Sequence, residues 1–197
     1  MNALPPAILI AATLALACGE DLRSRRIPNA VSVACLAGGL LWHAIGPAGA
    51  WAFDPRAPGA VGLAGAAAAF AGVLLALLPL RALGAMGGGD VKLLAAIAAC
   101  LGASSGHWIH LPGLLLTVFV VGGGLSLARM LAAGTSRAVL ANLRALVSGL
   151  AVRGAGGVAV SFDPRRDSAD RMPYSLAIAA GTLLYLAGTW IGLLRTP

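Results

Sequence analysis

Charge is scarce in this sequence. Only 11% of its 197 residues are Asp, Glu, Lys or Arg, and just 7 are acidic, whereas soluble domains carry about 25% charged residues. With apolar residues at 59% and a mean hydropathy of +0.88, that shortage argues against a soluble domain and for a multi-pass membrane protein. Cysteine is equally sparse. Cys18, Cys35 and Cys100 each stand alone inside an apolar segment, and none has a CxxC partner. Neither a zinc site nor a disulfide framework is expected, and the three read as small packing residues. The opening "MNALPP" has no basic residue, so "LALAC" is read as part of a retained first span and not as a cleaved lipoprotein signal. The net charge of +7 is scattered between apolar runs. It gives no basic face for nucleic acid, and membrane lipids are the expected surroundings.

Long apolar runs are abundant. A spanning helix needs about 20 such residues, and the candidates are Leu4–Gly19, Ala30–Ile45, Gly59–Leu80, Val91–Gly106, Leu111–Leu131 and Tyr174–Leu194. The expected fold is all-α and polytopic, with about six transmembrane helices in a single domain over 1–197. Basic residues favour the cytoplasmic side. Of the 14 Lys and Arg residues, 12 lie in or beside the loops after the first, third and fifth spans, and only Arg56 and Arg195 fall on the other side. Both termini are therefore expected outside the cytoplasm. Asp21 and Asp90 are expected at its boundary.

The long cytoplasmic loop, about 132–172, contains "SRAVLANLRALVSGLAV". Val139, Leu140, Leu143, Leu146, Val147 and Leu150 share one face at helical spacing; Arg137, Ala141, Arg144 and Ser148 share the other. The pattern predicts an amphipathic helix over about 136–152, either on the membrane surface or packed on the protein. In the third span, Gly62 with Ala66 and Ala68 with Gly72 are spaced for close helix approach. Gly122, Gly123 and Gly124 mark a kink or a close crossing. His107 and His110 fall in an outer turn with no evident partner, and no metal site is expected.

A carboxylate at bilayer depth costs about 2.5–3.5 kcal/mol on insertion scales, so it usually has a task. Asp54, Asp163, Asp167 and Asp170 lie in polar loops as solvated charges. Glu20, Asp21 and Asp90 lie at span ends. Taken alone, Asp90 after "GGG" reads as a helix N-cap, and Asp21 as a helix terminator neutralised by Arg23 or Arg25. Taken together, the two emerge at one membrane face. Two carboxyls sharing a site do not both ionise easily. Such a pair activates water with its ionised member and polarises a carbonyl with its protonated one, which is aspartyl protease chemistry without metal or cofactor. Gly87 and Gly89 would let a substrate backbone approach Asp90. Glu20 projects about 100° away from Asp21 around the helix and is read as a bystander.

"GGGD" at Gly87–Asp90 matches the GxGD motif of membrane aspartyl proteases. "DLRSRRIPN", Asp21 to Asn29, resembles the segment with the first catalytic aspartate in type IV prepilin peptidases, and "RMPYSLAIAAG" resembles the start of their last helix. The resemblance implies that Asp21 and Asp90 are the catalytic pair. It implies that Arg26, Pro28 and Asn29 hold the first loop, and that Gly87, Gly88, Gly89 and Lys92 surround the second aspartate. Lys92 is equally explained as a topology-setting charge. The larger bifunctional prepilin peptidases carry paired CxxC motifs and methylate the new N-terminus; this sequence has no such motifs, which argues against methylation. The short peptidases of tight-adherence (Flp-type) pilus systems are the better likeness. Presenilin-like GxGD proteins usually have Tyr before the first aspartate, where Glu20 stands here.

The expected function is therefore an inner-membrane aspartyl endopeptidase that removes the leader from type IV prepilins or pseudopilins at the cytoplasmic face. One rival is a non-enzymatic scaffold or small transporter with the aspartates as caps or a proton relay. Another is a protease acting on signal peptides.

Overall fold

A computed structural model describes residues 4–54, 57–104, 108, 110–137, 141, 144, 148 and 173–191. Six helices are present among them: α1 (Leu4–Ser24), α2 (Asn29–Ile45), α3 (Leu63–Ala82), α4 (Gly88–Leu101), α5 (His110–Ala132) and α6 (Tyr174–Trp190). No strands occur among the described residues, only the isolated bridges Ala48 to Ala60 and Trp51 to Pro58. Each predicted span contains one helix. Three of them, α1, α3 and α5, are long and apolar enough to cross a membrane.

The chain forms two compact units, residues 1–122 with 173–197, and residues 123–172. In the first, α4 is the hub, packing against α2, α3, α1 and α6. It is apolar on every side, and Val91 and Leu93 through Leu101 are all buried, as expected for a helix enclosed by others. Its alanines let the neighbours come close. Gly39 of α2 faces Cys100, where an added Cβ would sit 2.9 Å from the backbone nitrogen. Cys35 and Cys100, read from sequence as solitary, are in fact side by side, with sulfurs 3.5 Å apart.

The α3 face turned inward is Ala66, Ala69, Val73 and Leu77. Gly65 packs against the Ala103 carbonyl. The predicted pairs are thus only partly right: Ala66 is buried, but nothing lies within 4 Å of where a side chain at Gly62 would begin. The close approach comes one turn further on. Among the three consecutive glycines, Gly122 meets the Tyr174 ring, and Gly123 and Gly124 meet nothing within 4 Å.

Several predicted boundaries move. The first helix runs on past Gly19 to Ser24, and the fourth begins at Gly88 and not Val91. The third span starts at Leu63 and not Gly59, because residues 46–62 fold back on themselves through hydrogen bonds such as Gly49 N–H to the Ala60 carbonyl, 3.0 Å. The fourth ends at Leu101 and not Gly106, because Gly102 takes a positive φ of 74°, open to glycine, that breaks the helical path. The folded-back loop buries Trp51 and Phe53. The Trp51 ring stacks on His110 at 3.9 Å, and His110 Nδ1 lies 2.7 Å from the Tyr185 hydroxyl. His110 therefore has partners that the sequence did not reveal; His107 lies outside the described residues. His43 accepts the Val61 N–H at Nδ1, so its Nε2–H donates to the Cys100 carbonyl, 3.1 Å.

In the second unit, α5 closes at Ala132. Gly134, with φ 65°, lets the Thr135 N–H return to the Met130 carbonyl, a common helix ending. The polar-face residues Arg137, Ala141, Arg144 and Ser148 are helical and exposed. The apolar face of that predicted helix, and the polar stretch after it, lie outside the described residues.

Candidate active site

Asp21 lies in the last turn of α1 and is buried, 8% exposed. The helix ends three residues later. Arg25 adopts a left-handed conformation (φ 52°), and the Ser24 hydroxyl donates to the Glu20 and Arg26 carbonyls. Pro28 then caps α2, and Asn29 is its first residue. Such a tight turn returns the chain immediately, which keeps Ile27, Pro28 and Asn29 beside the end that holds Asp21.

Asp90 lies in the first turn of α4, outside the three long apolar helices. It is not itself the N-cap. Gly87 is, and Asp90 stands three positions on, where its carboxylate receives the Gly87 N–H. This is the return half of a capping box. The three glycines accommodate the protein's own groups. A Cβ on Gly87 would lie 2.5 Å from Asp90 Oδ2, the Arg81 guanidinium covers Gly88, and Gly89 faces Ile27 with 3.2 Å between the would-be and real Cβ atoms. A side chain at Gly87 or Gly89 would thus meet Asp90 itself or the first loop.

Asp21 and Asp90 are within electrostatic reach of each other. Burial pushes the Asp90 carboxyl up to about 6, the negative charge of Asp21 adds to this, and the Gly87 N–H opposes it. Lys92 Nζ donates to Asn29 Oδ1 at 3.0 Å, which ties α4 to the first loop. The residues singled out from sequence therefore gather at one end of one unit, with Arg26 exposed there.

Sequence reasoning drew no individual residue from "RMPYSLAIAAG", and here it missed two. The Ser175 N–H donates to Asp21 Oδ2 at 3.3 Å. It is one of the free N–H groups of the first turn of α6, where an anion is favoured. Tyr174 feels the charge of Asp90, and its hydroxyl packs at Gly122. An orphan polar group opening a late helix was the signal available. Its partner, 154 residues away, was not.

The family model of the type IV leader peptidase family matches residues 8–127. The chain belongs to that family. No curated protein and no solved structure matches it. Membership makes the protein a leader peptidase, a protease acting on prepilin-type substrates in general. The matched segment contains both aspartates, the first loop and the glycine turn; α6 lies beyond it.

Proposed function

We propose that this leader peptidase is an aspartyl endopeptidase of the GxGD type, with Asp21 and Asp90 as its catalytic pair. The observation that carries the reading is the pair itself: Asp21, at the end of α1, and Asp90, at the start of α4, come close enough that the charge of Asp21 adds to burial in keeping the proton on Asp90. In the proposed reaction the ionised Asp21 takes a proton from water as the water oxygen bonds to the scissile carbonyl carbon. Asp90 gives its proton to the carbonyl oxygen. The tetrahedral intermediate then collapses, the C–N bond breaks, the amine leaves with the proton held on Asp21, and Asp90 recovers its own from the hydroxyl. No metal or cofactor enters.

The substrate is a prepilin or pseudopilin. Its apolar helix docks laterally among six spans and presents the leader junction at the cytoplasmic face of the inner membrane, with both termini of the peptidase on the outer side. The basic first loop supports that orientation, and Ile8, Leu41, Leu75, Leu116 and Leu184, all exposed, give the helices a surface suited to lipid. Arg26, Pro28 and Asn29 hold the first loop, and Gly87, Gly88, Gly89 and Lys92 set the second aspartate.

Membranes containing the peptidase should give a leader-sized mobility shift with a pilin-like precursor. Asp21→Asn and Asp90→Asn should each abolish the shift while still inserting. Full cleavage by either variant would defeat the mechanism, and transport requiring Asp90 with no cleavage would favour the non-enzymatic rival.

A further inference from the structure

Ser175 is completely enclosed, at 0% exposure. Its hydroxyl meets the Cys18 thiol, a weak hydrogen-bonding group, and has no other partner among the described residues. A buried hydroxyl with so weak a partner is unfavourable. Alanine would avoid the penalty and suit a helix better; packing alone gives no reason for serine. The main chain of the same residue already donates to Asp21 Oδ2, at a distance of 3.3 Å that is long for a bond to a charged carboxylate. Rotation about the Ser175 Cα–Cβ bond is the motion that would aim a second donor at that carboxylate.

We propose that Ser175 is a positioning residue for Asp21, its N–H and its hydroxyl together holding the carboxylate in place as the ionised base. The assignment rests on the catalytic reading above. Hydrogen bonds donated to a carboxylate favour its charged form, and the start of α6 adds the positive end of a helix dipole. The division of labour follows from position: Asp21 faces the donors of α6, and Asp90 keeps the proton. Asp90 of α4 and Cys18, one turn earlier on α1, share a field with the same carboxylate. The other titratable or charged groups nearby in the chain are Glu20 and Arg23 on α1, Lys92 on α4, and Tyr174 before Ser175 on α6. Arg25 and Arg26 follow on the turn into α2, whose own titratable groups, Cys35 and His43, lie further along that helix.

The test uses the full-length peptidase in detergent with a pilin-like precursor, comparing wild type, Ser175→Ala and Asp21→Asn. Two quantities are read: kcat/KM across pH, and the thermal midpoint. Ser175→Ala is expected to keep or raise the midpoint, because it deletes a buried oxygen whose neighbour among the described residues is a weakly bonding thiol. It should lower kcat/KM roughly tenfold to a hundredfold and move the acid limb of the profile to higher pH. A variant with wild-type rate and an unmoved limb overturns the assignment while the catalytic reading stands. So does a rate loss that only tracks a fall in midpoint. If wild type does not cleave, or Asp21→Asn cleaves normally, the catalytic reading falls and this assignment falls with it.

Discussion

Burial and the neighbouring charge of Asp21 keep a proton on Asp90 up to about pH 6, well above the usual carboxyl value of about 3.9. The folded protein therefore binds more protons than the unfolded chain in the window between those values. Its stability rises as pH falls from 7 through about 6, and the gain is complete below the unfolded value. Thermal midpoints measured from pH 7.5 down to pH 5 should climb in wild type, and Asp90→Asn should remove that part of the slope. An infrared titration gives the same answer directly: a protonated carboxyl band in wild type with a midpoint near 6, shifted to lower pH in Asp21→Asn, where the repelling charge is gone. An unchanged midpoint in that variant would show that the two side chains do not share a field.

Between helices, contact is set by glycines at particular crossings. Gly39 lies against the backbone of Cys100, and Gly181 of α6 against Val118 of α5, where an added Cβ would come within 2.5 Å of a Cα. Backbone does not yield as a side-chain tip does. Gly39→Ala and Gly181→Ala should each destabilise the protein by about 1–3 kcal/mol, read as a lower thermal midpoint in detergent, whereas Gly123→Ala, with open space around it, should not. The six helices were legible from apolar runs alone, because hydrophobic length is a local property. The crossings were not. Spacing of small residues suggested Gly62 and Gly72, but which face of α3 turns inward depends on where α4 lies, and that is a long-range fact. The same limit explains the site. "GGGD" and "DLRSRRIPN" carried Asp21, Asp90 and the first loop, since turn chemistry is written in adjacent residues. The bonds from Lys92 to Asn29 and from Ser175 to Asp21 join positions 63 and 154 residues apart, and no local pattern announces them. The fold-back around Trp51 was likewise hidden, for the Trp51 ring stacks on His110, far along the chain, which in turn meets Tyr185.

For the molecule as a whole, the proposed arrangement has a definite direction. Single cysteines placed at exposed Arg26 and Ala85 in a background without the native thiols should react with a membrane-impermeant maleimide only after the cytoplasmic side is opened. A cysteine at position 2 should react in intact spheroplasts. Labelling of Arg26→Cys from outside would place the first loop on the wrong side for leader removal in the cytoplasm, and would overturn the orientation although the pairing of the aspartates would survive.

The helix that carries Asp90 has 14 residues, about 21 Å of rise, against a hydrocarbon layer of about 30 Å. Such a segment is a poor candidate for partitioning into lipid by itself. Its apolar circumference is satisfied by protein instead, so during biogenesis it has to enter alongside α2 and α3 and not ahead of them. The acid at its tip is thereby placed by a collective step of assembly, and the proposed catalytic pair comes together only when the surrounding bundle closes.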